Sequence, residues 1–509
     1  MIAKIQTSNS SSCSSILASA PETFAVFWNL INWDKVKANV KSLQSRIAKA
    51  IEKKSFGKAK AIQWILTHSF SAKLLAIKRV TENKGKHTSG VDKRIWSTPY
   101  SKWEAANNLS CKGYKAMPLK RCYIPKKNGK KRALGIPTMK DRAMQALYLS
   151  ALDPISETLA DKNSYGFRPH RACADAIARC FSLLARKNSP KWILEADIKG
   201  CFDNINHQWL LEKIPLNKKV LNQWLISGFI DKKQFFPTIN GTPQGGIISP
   251  TLANMTLDGL QEAIDHALNI RTWKNGKRAN NQYDVHLVRY ADDFIITASN
   301  PDILEKTILP VISNFLRLRG LELSKEKTSV VNIEQGFDFL GQNIRKYNGK
   351  LLIKPSKSNI KSFKCKIKDV IKNNSAAKTV NLIRLLNPII RGWANYHRHI
   401  VAKQTFSDLD DYIFRNLWNW AYRRHPKKKG KWVKDKYFHS LGLNNWVFAA
   451  KDSSEKWCRL RSMSSIKIVR HVKIKADANQ YLHDWNSYFK NRKRTKTLPE
   501  TSETFLVSY

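Results

Sequence analysis

The sequence predicts a multidomain α+β protein, and three observations lead to this fold class. The chain has 509 residues, too many for one ordinary hydrophobic core and enough for two to four domains. Apolar residues recur at helical spacing near both ends, while short strand-like runs bounded by turn residues occupy the middle. Hydrophobic residues make up 42% of the chain, which is sufficient for globular interiors.

The N-terminal part divides into a lead-in and a helical region. Residues 1–24 are Ser-rich and acid-poor, and we expect a disordered lead-in; an organellar transit peptide is the alternative, although arginine is absent there. Residues 33–80 place apolar residues at helical spacing among lysines, which predicts two or three basic amphipathic helices. The following "TENKGKHTSGVD" predicts a loop.

Two hairpins and several helices are predicted in the middle of the chain. "CYIPKKNGKKRALGIP" predicts a hairpin with a basic tip, and "VRYADDFIITAS" predicts a second hairpin. "KWILEADIKGCFDNI" begins as a strand and breaks at Gly200. Three further segments are expected to form regular secondary structure. They are helices in "DRAMQALYLSALDPI" and "HQWLLEKI" and one strand in "FDFLGQNIRK".

The chain is strongly basic, with a formal net charge of +50 and a pI near 10.1. Such an excess indicates a polyanionic partner, and nucleic acid is the natural candidate, with an anionic membrane surface as the rival. No apolar run approaches the ~20 residues that span a bilayer, so we expect no membrane insertion. The eight cysteines form no C-x-x-C pair, which argues against a zinc site or a disulfide framework and fits a reducing compartment.

About half of the excess charge lies beyond residue 341, where 37 Lys and Arg face 11 Asp and Glu. "DLDDYIFRNLWNWAYRR" predicts a helix, and "HPKKKGKWVKDKYF" then interleaves lysines with aromatic residues. Two interpretations of this segment stay open. It forms either a solvated charged face or a nucleic-acid-binding surface on which aromatic rings stack with bases. The candidate nucleic-acid-binding residues are Arg423, Arg424, Lys427, Lys428, Lys429 and Lys431.

Three carboxylates form the candidate catalytic cluster. Asp292 and Asp293 lie between two strand-forming runs, a position that by itself is typical of a hairpin turn. Asp197 ends the strand-like "WILEAD" and would face that hairpin. The resulting oxygen-rich cluster suits two Mg²⁺ ions, which lie roughly 3.5–4 Å apart in enzymes that displace phosphoryl groups. Bound metals would explain why a basic chain gathers negative charge at one place.

These motifs together resemble those of reverse transcriptases. "VRYADDFIITAS" is similar to the family's Tyr-x-Asp-Asp hairpin, and "EADIKGCFDNINH", "NGTPQGGIISPTLAN", "LELSKEKT" and "FDFLGQNIRK" follow the family's order. "CYIPKKNGKKRALGIPTMKDRAMQALY" and "SYGFRPHRACADAI" resemble the bacterial group II intron-encoded branch, as do "RGWANYHRHI", "LDDYIFRNLWNWAYRRHPKKKGKWVKDKYF" and "IVRHVKIKADANQY" near the C-terminus. Seven or more ordered motifs across about residues 25–490 carry the resemblance.

The resemblance implies a right-hand polymerase with an antiparallel palm sheet, followed by a helical thumb. We expect an N-terminal extension and fingers in residues 25–190 and the palm in residues 191–348. The thumb or maturase domain would span 349–425, a small basic DNA-binding domain 426–495, and a tail 496–509. Many relatives append a nuclease domain with paired cysteines; this chain lacks such pairs, so we do not expect it to cleave DNA.

The resemblance also implies roles for individual residues. Asp197 and Asp292 would hold two Mg²⁺ ions together with the backbone carbonyl of Ile198, and Asp293 would be a supporting carboxylate. Four residues are implied to bind the nucleotide, namely Phe202 as a gate against the 2′-hydroxyl, Gln244, and the triphosphate-clamping Lys126 and Arg132. For Lys327, an active-site position and a plain surface position are both open. Ala133 replaces a proline that is frequent in relatives.

The implied function is RNA-directed DNA synthesis combined with assistance to intron splicing. The partners would be a group II intron RNA, a DNA target and primer, and dNTP substrates, and the setting a bacterial cytoplasm, associated with the nucleoid as a ribonucleoprotein. In such a mobile element the protein would copy its intron during retrohoming. Two alternatives stay open: an RNA-binding splicing factor without polymerase activity, and a reverse transcriptase recruited to host defence or repair.

Overall fold

The N-terminal region of the chain is helical. A computed structural model describes residues 26–125, 129, 131–272 and 278–497. Its first helices are α1 (Trp33–Glu52), α2 (Phe56–His68), α3 (Phe70–Glu82) and α4 (Pro99–Asn107). The side chain of Asn32 accepts a hydrogen bond from the Lys35 amide and so caps α1. The prediction of two or three helices across residues 33–80 is confirmed, with three.

A strand pair and two helices follow, and they confirm the first predicted hairpin and the helix after it. Pairing runs from Lys120 opposite Ile136 to Pro125 opposite Lys131, and part of the basic tip lies outside the described residues. Thr138 caps the long helix by accepting from the Asp141 amide. The elements are β1 (Leu119–Pro125), β2 (Lys131–Ile136), α5 (Met139–Leu159) and α6 (Cys173–Leu184).

The central region alternates short helices with strands. The predicted strand in "WILEAD", the break at Gly200, the helix in "HQWLLEKI" and the second hairpin are all confirmed. The elements are β3 (Trp192–Asp197), α7 (Cys201–Asn204), α8 (His207–Lys213), α9 (Lys218–Leu225), β4 (Phe229–Asp231), β5 (Gln234–Phe236), α10 (Ser249–Leu257), α11 (Leu260–Ala267), β6 (Arg271–Thr272), β7 (Arg278–Ala279), β8 (His286–Tyr290), β9 (Asp293–Ala298), a π-helix (Ile303–Ile308), α12 (Leu309–Arg317), a 3₁₀ turn (Lys325–Lys327) and β10 (Ser329–Asn332).

A four-stranded antiparallel sheet in the order β10-β3-β9-β8 separates two hydrophobic cores. Leu194 and Ile296 face the core that contains α1 to α5, whereas Ile193 and Ile295 face the core shared with the C-terminal helices. Alternate residues of one strand therefore enter different cores, which explains the nearly unbroken apolar run of β9. A second sheet, β2-β1-β4-β5, contains the first hairpin and extends it by two short strands.

"FDFLGQNIRK" forms two strands, so the prediction of one strand there is wrong. Leu340 and Gly341 both have positive φ, +50° and +73°, and this left-handed pair turns the chain back on itself. The result is a three-stranded antiparallel meander of β11 (Phe337–Phe339), β12 (Gln342–Tyr347) and β13 (Lys350–Pro355).

The C-terminal region is a helical group with a small sheet, and it confirms the helix predicted in "DLDDYIFRNLWNWAYRR". Within the described part of the chain, no helix is both long and apolar enough to cross a membrane. The elements are α13 (Lys357–Lys372), α14 (Thr379–His397), α15 (Lys403–Arg423), α16 (Gly430–Tyr437), β14 (Phe438–Leu441), β15 (Asn444–Lys451), β16 (Trp457–Arg459), a 3₁₀ turn (His483–Trp485) and α17 (Asn486–Thr497).

The C-terminal segment, residues 463–497, returns to the N-terminal half and is anchored there by buried polar groups. The guanidinium of Arg171 donates to the carbonyl oxygens of Ala476 and Ala478, both at 3.2 Å. The Tyr481 hydroxyl donates to the carboxylate of Asp153 on α5. These contacts join residues more than 300 positions apart.

Asp175 on α6 provides the most buried of these anchors, with a fully buried side chain. One carboxylate oxygen accepts from His471 Nε2 at 2.8 Å, the Ile474 amide at 2.7 Å and Arg492 Nη2 at 2.9 Å. The other oxygen accepts from the Ala172 amide at 3.0 Å. One carboxylate of the N-terminal half therefore holds three groups of the C-terminal segment.

Candidate active site

The three predicted aspartates meet at one end of the central sheet. Asp197 ends β3 and is paired in register with Asp293, the first residue of β9. Ala291, at φ +58°, and Asp292 form the turn that precedes Asp293. Because β3 and β9 are antiparallel neighbours, the end of one strand and the start of the other lie side by side.

The carboxylates of this cluster repel one another. Burial, the charge of Asp292 and the carboxyl group of Asp197 raise the pKa of Asp293 to about 7. Burial and the charge of Asp197 also raise the pKa of Asp292, against the opposing charges of Arg132 and Lys327. A cluster with these shifts favours binding of a cation or a proton.

Lys327 supplies one positive charge to the cluster. Its Nζ donates to Asp197 Oδ2 at 2.6 Å, and this hydrogen bond raises the pKa of Lys327. The Ser324 amide donates to the Asp197 carbonyl oxygen at 2.8 Å, which brings the 3₁₀ turn carrying the lysine against the end of β3. The sequence leaves open whether Lys327 lies at the active site or elsewhere on the surface. In the structure it lies beside the aspartates.

The cluster fits a hard divalent cation by its chemistry. Carboxylate oxygens are the ligands that Mg²⁺ prefers, and three mutually repelling carboxylates need positive charge. Among the described residues, no three Asp, Glu, His or Cys side chains are arranged so that they could hold a metal ion as they stand. Since Lys327 pairs with Asp197, metal binding requires these side chains to rearrange.

Ile198 lies directly beyond the strand end, and its side chain is buried. It forms an isolated antiparallel bridge with Leu323. The hydrogen bonds of this bridge use the Asp197 carbonyl and the Lys199 amide, which bonds to the Glu322 carbonyl at 2.9 Å. The backbone carbonyl proposed as a metal ligand therefore belongs to a residue fixed on both sides.

Phe202 lies on the short helix α7, Gln244 lies on a loop, and backbone hydrogen bonds join this loop to α7. Gly200, at φ +56°, allows the chain to turn into α7, where Phe202 is half-buried. The Thr242 amide donates to the Phe202 carbonyl at 2.6 Å. Two residues further along, the Gln244 carbonyl accepts from the Gly135 amide at 2.8 Å. The predicted nucleotide-binding loop therefore connects α7 to the end of β2.

Of the two predicted triphosphate ligands, Arg132 is described and Lys126 lies outside the described residues. Arg132 is exposed on β2, opposite Ile124. Its charge acts to lower the pKa of Asp292, although burial dominates that shift. The guanidinium is therefore close enough to influence the catalytic cluster electrostatically.

The sequence reasoning did not include Arg289, which supports from inside the protein the turn of Ala291 and Asp292, named the catalytic turn after the predicted role of Asp292. Its side chain is fully buried and forms an ion pair with Asp258, the residue that directly follows α10. Its Nη1 also donates to Asn254 Oδ1 and to the Ala291 carbonyl, each at 3.4 Å. An arginine within the apolar run "HLVRY" was the available signal, because a buried charge requires partners.

Gln145 was also missed, and it holds the loop that carries Gln244. Its Oε1 accepts from the Ile247 amide at 2.8 Å, and its side chain is buried on α5. Nothing in the local pattern distinguishes this residue, since a single glutamine in a helical segment is ordinary.

The six predicted nucleic-acid-binding residues differ in their surroundings. Arg424 is half-buried; it donates to the Ala377 carbonyl at 2.7 Å and lies over the Trp420 ring at 4.5 Å. The other five side chains are exposed, namely Arg423, Lys427, Lys428, Lys429 and Lys431. Lys428 Nζ lies 5.5 Å from the ring centroid of Trp432, so lysine and aromatic ring are adjacent here.

Three family models match consecutive parts of the chain. The model described as reverse transcriptase (RNA-dependent DNA polymerase) matches residues 124–344, and that of the N-terminal domain of reverse transcriptase matches residues 28–109. The group II intron, maturase-specific domain matches residues 360–438. These matches follow the order of the motifs in the sequence.

Individual proteins are also similar to this chain. The Group II intron-encoded protein LtrA of Lactococcus lactis subsp. cremoris is 28% identical over 461 residues, which cover 73% of this chain and 76% of that protein. Protein YkfC of Escherichia coli is 31% identical over 301 residues, covering 52% and 78%. Among solved structures, Candida albicans telomerase is 14% identical with a TM-score of 0.36, covering 65% and 67%.

Proposed function

We propose the following function on the premise that the chain belongs to the group II intron-encoded reverse transcriptases and maturases: it copies an intron RNA into DNA and assists the splicing of that RNA. One observation carries the polymerase part. The antiparallel pairing of β3 with β9 gathers Asp197, Asp292 and Asp293 at one sheet end, within electrostatic range of the exposed Arg132.

Polymerases of this family generally use divalent metal ions, and Asp197, Asp292 and the Ile198 carbonyl would hold two Mg²⁺ ions here. Such ions stabilise the attacking and leaving oxygens of an in-line displacement at a phosphate. Asp293 adds a carboxylate beside these ligands, and its pKa is raised first by burial and then by the negative charges of Asp292 and Asp197, which bound metals would offset.

The remaining residues of the site bind and select the nucleotide. Arg132, together with Lys126, provides positive charge for the triphosphate, for which a planar guanidinium offers paired donors. Gln244 contacts the nucleotide from its loop. The ring of Phe202 occupies the space that a 2′-hydroxyl would need, and so favours deoxynucleotides. Lys327, which bonds to Asp197 in this structure, would have to leave that carboxylate for it to hold a metal ion.

In splicing, the protein would act by binding rather than by chemistry. The exposed side chains of Arg423, Lys427, Lys428, Lys429 and Lys431 contact phosphates, while rings such as Trp432 offer stacking surfaces. The intron RNA supplies the cleavage chemistry. In a bacterial cytoplasm the resulting ribonucleoprotein would bind a DNA target and use a primer strand for copying.

Primer extension on an RNA template tests the polymerase proposal. The full-length protein with Mg²⁺ and dNTPs is expected to extend a DNA primer, and chelation of Mg²⁺ should stop the reaction. No dNTP incorporation by folded protein would overturn the proposal and leave a splicing factor without polymerase activity. A parallel splicing assay with the intron RNA from the same genomic locus tests the maturase part, and unchanged splicing with and without protein would overturn it.

A further inference from the structure

Phe167 has a combination of properties that packing does not explain. Its side chain is 53% exposed, so it adds little to either core. Its backbone nevertheless has φ +56°, a left-handed conformation that is disfavoured for a bulky residue. A strained and exposed aromatic residue points to a role outside the fold itself.

The backbone on both sides of Phe167 is fixed. The Gly166 carbonyl accepts from Asn254 Nδ2 at 2.8 Å, and a Cβ at Gly166 would collide with the backbone of Ala291 in the catalytic turn. On the other side, the buried guanidinium of Arg168 forms a two-point ion pair with Glu157 at 2.8 and 3.0 Å. Phe167 is therefore held in place from both directions.

The ring of Phe167 is directed at Phe202. The two ring centroids are 6.2 Å apart with an interplanar angle of 78°, an edge-to-face contact. Both rings line one small depression together with Ala291 and Asp292. Phe167 therefore lies between the catalytic turn and the residue that we assign to sugar selection.

A steric gate is selective only if its ring cannot swing away from the sugar. Phe202 lies on α7, a helix of only four residues, which by itself gives the ring little support. We propose that Phe167 is a positioning residue that holds the Phe202 ring in its gating orientation, so that a 2′-hydroxyl is excluded. This inference rests on the proposed function, because it needs a polymerase that selects deoxynucleotides.

The test is a double-mutant cycle on sugar selectivity. The ratio of kcat/KM for a dNTP to kcat/KM for the matching rNTP is measured for wild type, Phe167→Ala, Phe202→Ala and the double variant. Phe167→Ala should lower this ratio roughly 2- to 10-fold, the range that one aromatic pair provides. Phe202→Ala should lower it further, and adding Phe167→Ala to Phe202→Ala should change nothing.

Two results would overturn the assignment. One is an unchanged ratio in Phe167→Ala, and the other is an equal fold-loss from Phe167→Ala with and without Phe202. Wild-type protein that incorporates no dNTP would instead defeat the proposed function, and this inference with it. The two failures are therefore distinguishable.

Phe167→Gly separates selectivity from folding. Glycine adopts a φ of +56° without strain, so the melting temperature should match or exceed that of wild type while the selectivity ratio falls as in Phe167→Ala. Phe167→Leu keeps apolar bulk without the ring edge and should lie between wild type and Phe167→Ala. Wild-type selectivity in well-folded Phe167→Gly would refute the proposal.

Discussion

Asp293 in the catalytic cluster and Asp175 beneath the C-terminal segment are the same residue type in opposite situations. Burial together with the negative charges of Asp292 and Asp197 raises the pKa of Asp293 to about 7. Burial also acts to raise the pKa of Asp175, yet hydrogen bonds from His471 and the Ile474 amide, with nearby positive charges, lower it overall.

The difference lies in where each carboxylate finds its counter-charge. The partners of Asp175 come from the protein itself, from residues 471, 474 and 492. The hydrogen bonds and charge of this carboxylate are therefore satisfied within the folded chain. The catalytic carboxylates face mainly one another, and of the positive side chains only Lys327 is bonded to them within the described residues. A shortage of internal partners therefore marks the cluster for which we propose an external cation.

Replacing Asp292 should give the largest effect in this comparison. Asp292→Ala is expected to reduce DNA synthesis by on the order of 10³-fold, because metal stabilisation of transition-state charge is worth several kcal/mol. Intron RNA binding and the melting temperature should stay near wild type. Single-turnover primer extension measures the loss, and Asp302→Ala, which removes an exposed carboxylate elsewhere, is the matched control. Equal loss of RNA binding would mean that Asp292 serves the fold.

Replacing Asp175 should instead affect stability. Asp175→Ala leaves the half-buried His471 and the buried Arg492 without their shared partner and should lower the free energy of unfolding by about 3–5 kcal/mol. Chemical denaturation measures this change. Asp369→Ala on the exposed face of α13 should stay within about 0.5 kcal/mol of wild type. A comparably small effect of Asp175→Ala would remove the contrast between the two carboxylates.

The histidines beside the C-terminal segment predict a pH dependence of stability. Burial lowers the pKa of His397 to about 3 and that of His399 to about 4, with smaller effects from neighbouring histidines. In the unfolded chain both histidines titrate near 6.5, so between pH 6.5 and about 4 these two side chains take up protons only in the unfolded state. The contribution of His397 and His399 should therefore lower the melting temperature as the pH decreases from 7 towards 4, against the carboxylates with raised pKa such as Asp293, which act in the opposite direction.

His397→Phe should flatten this profile, because it keeps a ring and removes two nitrogens that have no hydrogen-bond partner in the described structure. Melting curves between pH 5 and 8 provide the measurement. An unchanged slope in His397→Phe would assign the acid sensitivity to other groups.

Replacing Lys327 should give the smallest change in stability. Its ammonium group is largely exposed, so Lys327→Met should alter the free energy of unfolding by less than about 1 kcal/mol. The same change removes the competitor for Asp197, so Mn²⁺ binding followed by electron paramagnetic resonance should become tighter. Weaker Mn²⁺ binding would indicate that Lys327 organises the cluster instead of competing for it.

Local sequence patterns predicted most of the secondary structure of the central region. Strand-forming runs on either side of Asp292 and Asp293, and a break at Gly200, were enough to place the hairpin and the end of β3. The turn inside "FDFLGQNIRK" was missed although Gly341 offered a signal, because a single glycine within a strand-like run also fits one continuous strand. The roles of the site residues stay predictions until they are tested.

Contacts between distant parts of the chain could not be predicted from local sequence patterns. The ion pair of Arg289 with Asp258 spans 31 positions, and the bond of Asp175 with His471 spans 296. A periodic pattern reports which face of an element is buried, but not which element covers it. Phe167 shows the same limit, since only the structure brings its ring to Phe202.

The long separation between Asp175 and its partners has a consequence for synthesis of the protein. His471 leaves the ribosome 296 residues after Asp175. At translation rates of about 5–20 residues per second, this delay is roughly 15 to 60 s. During that time α6 carries an acidic group whose future neighbours have not yet been made. Until the C-terminal segment has been synthesised, the Asp175 carboxylate of the nascent chain must therefore be solvated by water or shielded by a chaperone.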